Sequence, residues 1–461
     1  MTTANLRGAT HQKTSQLELL PRDRGEAPTS RQSGEAPTAA SGDARLGTDH
    51  LMEEVVRREN ARVAFKRVKQ NKGSPGIDGM TVDDLAKHLT EHWQEIREQL
   101  LAGTYQPAPV RRREIPKSGG GTRTLGIPTA LDRFVQQAIL QVLQPRFDPT
   151  FSEHSHGFRP GRSAHDAVRE AERYIRDGRR WVVDVDLEKF FDRVNHDVLM
   201  GKLSKRIEDK RMLGLIRRYL EAGIMVNGVV VERVEGTPQG GPLSPLLANV
   251  LLDEVDKELE KRGHAFVRYA DDCNVYVRSK RAGERVMEAL RRLYARLRLR
   301  VNESKSAVAR PQHRKLLGYS FWYDRRGELK RRVAPKSLEA MKSRVREITS
   351  RSGGRSMTAR VSELRSFLAG WKAYFRLAQT ALVFRELDEW IRRRLRATQL
   401  KQWRNWQTVF RELRARGVPE RSAAAAATHS RRWWSTAKHP SLAMALPNRY
   451  FAALGIPSLY A

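Results

Sequence analysis

The stretch that decides the fold is Val267-Arg-Tyr-Ala-Asp-Asp-Cys-Asn-Val-Tyr-Val277. Apolar, aromatic and β-branched residues flank an adjacent carboxylate pair, Asp271 and Asp272, on both sides. The pattern predicts a β-hairpin over Ala265–Val277 with the two aspartates at its turn. Neighbouring carboxylates repel, so the arrangement is costly unless a hard cation neutralises it. An isolated Asp-Asp pair is most often a solvated turn. A second carboxylate-bearing strand upstream, Trp181-Val-Val-Asp-Val-Asp186, raises this pair above that reading. Asp184 and Asp186 are two apart and share one face of the strand. A carboxylate at that strand end, set beside the hairpin turn, would assemble a site for two Mg²⁺ ions. Metals roughly 3.5–4 Å apart stabilise both the attacking and the leaving oxygen of phosphoryl transfer. Oxygen-only ligation favours Mg²⁺ over zinc.

Outward from these strands the chain alternates helices with short strands. One helix is predicted from about His50, with Asp49 as N-cap, through Val68. The loop Asn71–Gly79 carries three glycines and a proline, and a new helix follows from Thr81. A second glycine cluster, Ser118–Gly121, lies between basic segments Arg111–Lys117 and Arg123–Ile127 and predicts a hairpin. Helices are expected over Leu131–Leu143, Ser163–Asp177, His196–Arg206, Arg211–Ala222, after Pro242, and over Ala282–Arg298. Strand signals recur at Ile224–Val234, Arg300–Val308 and Lys315–Trp322. Beyond about Lys330 the pattern is mostly helical, with Ser350–Ser356 as a linker. Residues 1–49 are rich in Thr, Ser, Gly, Ala and Pro, repeat the segment GEAPT, and predict a disordered extension.

The 461 residues hold 86 Lys+Arg against 53 Asp+Glu, a net charge of 86 − 53 = +33. Such a chain repels itself unless a polyanion lies on it, which points to nucleic acid. Residues 331–461 carry 27 basic and 8 acidic residues, +19 of that excess, and six of the nine tryptophans. Interleaved cations and aromatics suit a phosphate backbone with unstacked bases. Within this region Leu387, Ile391 and Leu395 form a buried helical stripe. Arg392, Arg393, Arg394 and Arg396 fall off it and are expected to face RNA or DNA, while most of the tryptophans are expected in the core. No run of 18 apolar residues is present, which excludes a membrane-spanning helix. There is no secretory h-region at the N-terminus, and the single cysteine, Cys273, excludes a disulfide framework. A cytoplasmic protein is expected.

The Tyr269-Ala-Asp-Asp272 tetrapeptide resembles the YxDD box of reverse transcriptases. The blocks around it resemble the bacterial group II intron reverse transcriptase/maturase family. They run in that family's order: Asn71–Gly79, Ile115–Pro128, Ser155-His-Gly-Phe-Arg-Pro160, Asp184–Asp192, Gly236–Pro245, Phe266–Val277, Val301–Ser306 and Leu317-Gly-Tyr319. The resemblance covers roughly residues 50–440. It implies an α+β right-hand polymerase fold, fingers and palm with an antiparallel palm sheet over 50–325. A helical thumb and maturase region would follow at 326–440, then a tail at 441–461.

The resemblance also implies site residues. Asp186, Asp271 and Asp272 match the catalytic, metal-binding triad. The Leu187 carbonyl completes the shell for two Mg²⁺, with Mn²⁺ as a substitute. Asp184 and Asp192 are read as supporting hydrogen-bond acceptors. Phe191 matches the side chain that stacks on the incoming sugar and excludes a 2′-OH, with one of Phe190 and Phe191 in the core. Lys117, Arg123, Gln239 and Lys305 match residues around the bound dNTP. Asn71, Gly73 and Gly76 lie in a loop that resembles the fingertip cover of template and primer, and Leu317, Gly318 and Tyr319 resemble the primer grip.

An RNA-directed DNA polymerase that also helps its intron RNA splice is therefore expected. Its partners would be intron RNA, an RNA template with a DNA or RNA primer, dNTPs and target DNA; monomer and homodimer both remain open. The alternatives are a relative co-opted for DNA repair or phage defence and an RNA-binding splicing factor. The intact carboxylate triad argues against the last of these. The chain ends at Ala461 with no cysteine beyond Cys273, so an endonuclease-lacking type is expected.

Overall fold

A computed structural model describes residues 49–116, 122–226, 229–231, 235–237, 240–352 and 354–460. The expected disorder of 1–49 falls almost entirely outside them. Ten strands lie among the described residues: β1 (Val110–Pro116), β2 (Thr122–Ile127), β3 (Trp181–Val185), β4 (Ile224–Val226), β5 (Val229–Val231), β6 (Ala265–Tyr269), β7 (Asp272–Val277), β8 (Ala307–Ala309), β9 (Tyr319–Tyr323) and β10 (Leu329–Val333). The central sheet has the order β6-β7-β3-β8 and is antiparallel throughout. A second sheet runs β2-β1-β4-β5, and β9 and β10 form a separate hairpin.

The central sheet is covered on both faces, which explains why its strands read as nearly unbroken apolar runs. Val183, Val185, Phe266, Cys273 and Val275 join one core, shared with helices Ala130–Phe147, Ser244–Lys261 and Lys280–Arg296. Val182, Val267 and Tyr276 join another, shared with helix Ala164–Arg176 and the β9–β10 hairpin. Helix starts follow the chemistry of their caps. Thr129 accepts from the Asp132 amide, and Ser163 with Asp166 forms a reciprocal capping box.

Three expectations are corrected. The first helix is two, Leu51–Val56 and Arg58–Gln70, joined at Arg57 with ψ at 139°, and neither Asp49 nor His50 caps it by a side chain. Continuing the phase of Leu51, Met52 and Val55 would turn Glu59 and Arg62 inward. The break lets Ala61, Ala64, Phe65 and Val68 face the core instead. The boundary at 325/326 falls in the turn of the β9–β10 hairpin, whose second strand had read as the start of the helical region. The segment 441–461 is no tail. Leu442, Leu446, Phe451 and Leu459 are buried in the core of the C-terminal helices. Asp388 holds that end by accepting from Ser458 Oγ at 2.7 Å and from the Leu459 amide at 3.0 Å.

Candidate active site

The register of the central sheet builds the site. β3 and β7 are antiparallel with Val185 opposite Cys273. One step further along, Asp186 comes opposite Asp272. The β6–β7 connection is only Ala270–Asp271, between the paired residues Tyr269 and Asp272. Ala270 has φ at +58°, a conformation in which a Cβ is strained. Two features hold it there. Gly157 lies directly against the turn, where a Cβ would sit 2.2 Å from the Ala270 nitrogen. Arg268, fully buried, donates from Nη1 to the Ala270 carbonyl at 2.9 Å and to Asn249 Oδ1 at 2.9 Å. Its charge is met by the equally buried Asp256, 2.5 Å from Nη2 and 2.8 Å from Nε. Arg268, Asp256, Asn249 and Gly157 were not picked out from the sequence. In a chain with 86 basic residues an arginine reads as surface, and only its place between Val267 and Tyr269 in an apolar strand hinted otherwise.

Asp186 is fixed by the segment after β3's other neighbourhood, Val301–Ser306. Its amide donates to Ser306 Oγ at 3.0 Å, its carbonyl accepts from the Asn302 amide at 2.8 Å, and Lys305 Nζ lies 3.3 Å from its Oδ1. The Asn302–Asp186 bond and the Glu188–Arg300 bond bracket Leu187, leaving its carbonyl outside the ladder. Asp184 is paired with Arg314, whose Nε is 2.7 Å away, and receives Asn274 Nδ2 at 3.3 Å. It is the supporting acceptor expected. Asp192 is exposed and accepts no hydrogen bond among the described residues.

The electrostatics are those of a crowded acidic floor. The cleft wall desolvates Asp272, although its side chain meets water on one side. With repulsion from Asp271, Asp184 and Asp186, this pushes its carboxyl up to about 7. Among the described residues no three carboxylate, thiol or imidazole groups close tightly into a metal cage. The donors form an open row instead: Asp271 and Asp272 line the cleft, Asp186 lies near enough to repel the Asp272 carboxylate, and the Leu187 carbonyl follows next along the chain. That donor set fits a hard divalent cation.

The cleft encloses about 740 Å³ and is lined by Asp271, Asp272, Phe191, Leu317, Asn71 and Gly73, among others. Phe190 is buried and packs edge-on against Phe191 at 5.0 Å, so Phe190 is the core residue and Phe191 the wall. The loop from Asn71 seats on helix Ala130–Phe147, where a Cβ on Gly76 would lie 2.6 Å from Thr129 Cα. Of the three grip residues, Leu317 reaches the cleft, Gly318 packs on Phe375, and Tyr319 is fully buried. Tyr319 therefore positions the turn and is not a contact for nucleic acid. Lys117, the Arg123 side chain and Gln239 lie outside the described residues.

The C-terminal arginines are also redirected. Arg393 donates to the Trp434 carbonyl at 2.7 Å and stacks on its ring, Arg394 donates to Thr349 Oγ1 at 2.6 Å, and Arg396 donates to the Leu446 carbonyl at 3.0 Å. Arg393 and Arg396 thus cap backbone carbonyls of their own domain, and Arg394 a hydroxyl. Only Arg392 of the four has no such bond among the described residues. Trp403 is buried and Trp371, Trp390 and Trp433 pack on the helical core, whereas Trp406 and Trp434 are exposed.

A carboxylate row on a four-stranded antiparallel sheet, under a cleft roofed by a glycine loop, defines a nucleotidyl-transferring polymerase of the right-hand class. Residues 115–321 match the reverse transcriptase (RNA-dependent DNA polymerase) family, and residues 338–417 match the group II intron, maturase-specific domain. Protein YkfC of Escherichia coli (strain K12) is 34% identical over 312 residues, which cover 59% of this chain and 82% of that protein. The group II intron-encoded protein LtrA of Lactococcus lactis subsp. cremoris is 41% identical over 198 residues, covering 42% of this chain and 32% of LtrA. Among solved structures, a chain of a partial Cas6-RT-Cas1–Cas2 complex is 25% identical with a TM-score of 0.36, over 54% of this chain and 43% of that one. The chain belongs to the group II intron reverse transcriptase/maturase family. Among the described residues no helix is long and apolar enough to cross a membrane.

Proposed function

We propose that the protein copies intron RNA into DNA and assists the splicing of that RNA. The observation that carries the reading is the register of β3 on β7, which brings Asp186 beside Asp272, a residue that lines the cleft. The maturase-specific domain match adds the splicing role. The reaction is attack of a primer 3′-OH on the α-phosphate of a dNTP, with pyrophosphate leaving. Two Mg²⁺ held by Asp186, Asp271, Asp272 and the Leu187 carbonyl would supply charge stabilisation at the attacking and leaving oxygens. The chain's own residues orient and exclude. Ser306 and Asn302 fix the Asp186 backbone beside Asp272, Arg268 holds the turn of Asp271, and Lys305 supplies a cation beside Asp186 that suits triphosphate oxygens.

Phe191 serves as the wall that a 2′-OH would strike. Replacing it, Phe191→Ala, is expected to raise incorporation of NTPs relative to dNTPs by about 10- to 100-fold, as expected for a steric contact worth about 1–3 kcal/mol. Primer extension on an RNA template with dNTPs and then with NTPs tests reaction, template and sugar choice together. No extension by the unmodified protein would refute the polymerase reading, and unchanged sugar choice in the variant would refute the role of Phe191. Affinity for RNA is expected to fall steeply with salt, because phosphate contacts release counterions. A flat response in a titration between about 50 and 200 mM salt would count against a cationic RNA surface.

A further inference from the structure

Glu170 stands midway along helix Ala164–Arg176, with its side chain 12% exposed. Its Oε1 accepts from His154 Nδ1 and from the Tyr174 hydroxyl, each at 2.7 Å, and its Oε2 accepts from His156 Nε2 at 2.7 Å. Burial opposes the charge, but these donors outweigh it and hold the Glu170 carboxyl well below the usual carboxylate range. The hydrogen bond to Glu170 in turn holds the His154 imidazole above its ordinary value, against burial and the nearby Arg173 and with help from Glu260. Among the described residues the His156 ring has no other partner, since its Nδ1 is buried and unbonded. The two histidines bracket Ser155, which forms an isolated parallel bridge with Arg268 of β6. The Arg268 amide donates to the His154 carbonyl and the His156 amide to the Arg268 carbonyl, both at 2.9 Å. One carboxylate thus grips both ends of the bridge. Gly157 follows directly, seated against the Ala270 nitrogen, with its carbonyl accepting from Asn249 Nδ2 at 3.0 Å. A slip of one residue would turn the histidines away from the helix. It would also bring His156 or Phe158 under the turn, and the 2.2 Å gap at Ala270 has no room for a Cβ. Arg159 holds the segment too, from Nη1 to the Ser155 carbonyl at 3.0 Å, but it grips the backbone and leaves the rings to Glu170.

We propose that Glu170 is a positioning residue for the polymerase reaction: by gripping His154 and His156 it sets the register of residues 154–157 on β6, and so keeps Gly157 under the turn that carries Asp271. This rests on the assignment of Asp271 and Asp272 above. Glu170 does not line the cleft that holds them, so its effect is on where the turn sits.

The test uses the full chain and reads amide hydrogen exchange beside single-turnover primer extension. In Glu170→Ala the amides of His156 and Arg268 are expected to exchange about tenfold faster, as for loss of one charged hydrogen bond, while amides of helix Ala381–Gln402 keep their rates. The extension rate should fall about 10- to 100-fold, the scale of a misplaced reacting group, with template-primer affinity within about twofold. Glu170→Gln keeps the volume but turns an NH2 toward one of the ring N–H groups, so it should lie between. It carries the test if Glu170→Ala does not fold. The pH profile adds a readout that simple packing would not move. The His154 value is raised in the folded chain, so its contribution is full below the unfolded value of about 6.5 and is lost as pH rises through the folded one. The gap in thermal midpoint between the unmodified chain and Glu170→Gln should therefore narrow as pH rises from about 6 to about 9. Unchanged exchange at His156 and Arg268, or faster exchange throughout the chain, would overturn the inference. So would an extension rate within about twofold of normal once those two amides have loosened. Because exchange is read without catalysis, failure of the unmodified protein to extend primers would strike the polymerase reading alone.

Discussion

Asp271→Ala is expected to abolish primer extension, by about a thousandfold or more in single-turnover rate, while RNA affinity stays within about twofold. The size follows from removing a metal-holding carboxylate whose partner ion contributes several kcal/mol of transition-state stabilisation, at 1.36 kcal/mol per tenfold. Retained binding follows from the placement of Asp271, at the turn of a hairpin whose strands and flanking cores do not depend on that side chain. The alanine should also lower the carboxyl pKa of Asp272, since repulsion by Asp271 is among the causes that raise it. Extension by the variant at near-normal rate with Mg²⁺ would remove Asp271 from the active site.

The second large effect lies one layer below the chemistry. Asp256→Ala leaves Arg268 charged and buried without its counter-ion, and breaking such a pair costs about 3–5 kcal/mol. A corresponding drop in the denaturant midpoint of the polymerase region is expected, read by the fluorescence of Trp181 and the other palm tryptophans. The double variant Asp256→Leu with Arg268→Met removes both charges and fills the space. It should regain most of that stability, as apolar replacements of buried pairs do. It should not regain activity, because the Ala270 carbonyl has then lost the Arg268 donor that holds its left-handed turn. Full recovery of both properties would show that the ion pair is structural only. An unaltered midpoint in Asp256→Ala would show that the buried charge is otherwise compensated.

The contrast between Asp271 and Arg268 shows what could be read without coordinates. The hairpin, the carboxylate pair and the upstream Asp184/Asp186 strand were legible because period-two alternation and turn chemistry are local signals. Phe190 and Phe191 were resolvable to one core and one wall residue, but their assignment needed the sheet. Long-range partners left no such trace. Gly157 lies more than a hundred residues from the turn it accommodates, and Arg268 has the residue type least expected at full burial. The internal partners of the C-terminal arginines are hidden from the sequence for a related reason. Helical phase places Arg393, Arg394 and Arg396 off the apolar stripe, but it cannot tell a solvent face from one whose carbonyls need donors. Residues 441–461 have helical pieces too short for periodicity to register, so their packing on Asp388 was invisible.

The central position of β3 also dictates the order in which this molecule can be completed on the ribosome. Among the described residues its strand partners are β7 and β8, both made later. From Val185 to Val277 the chain must grow by 277 − 185 = 92 residues before the first partner is whole. At bacterial-type synthesis rates of about 5–20 residues per second, the wait is roughly 5 to 18 seconds. Through that interval the valine-rich strand carrying Asp184 has both edges open, a state in which unpaired strands recruit one another. The nascent chain therefore passes through a vulnerable window before its carboxylates can meet. A truncated transcript ending inside that window would yield an aggregation-prone fragment instead of a partial enzyme.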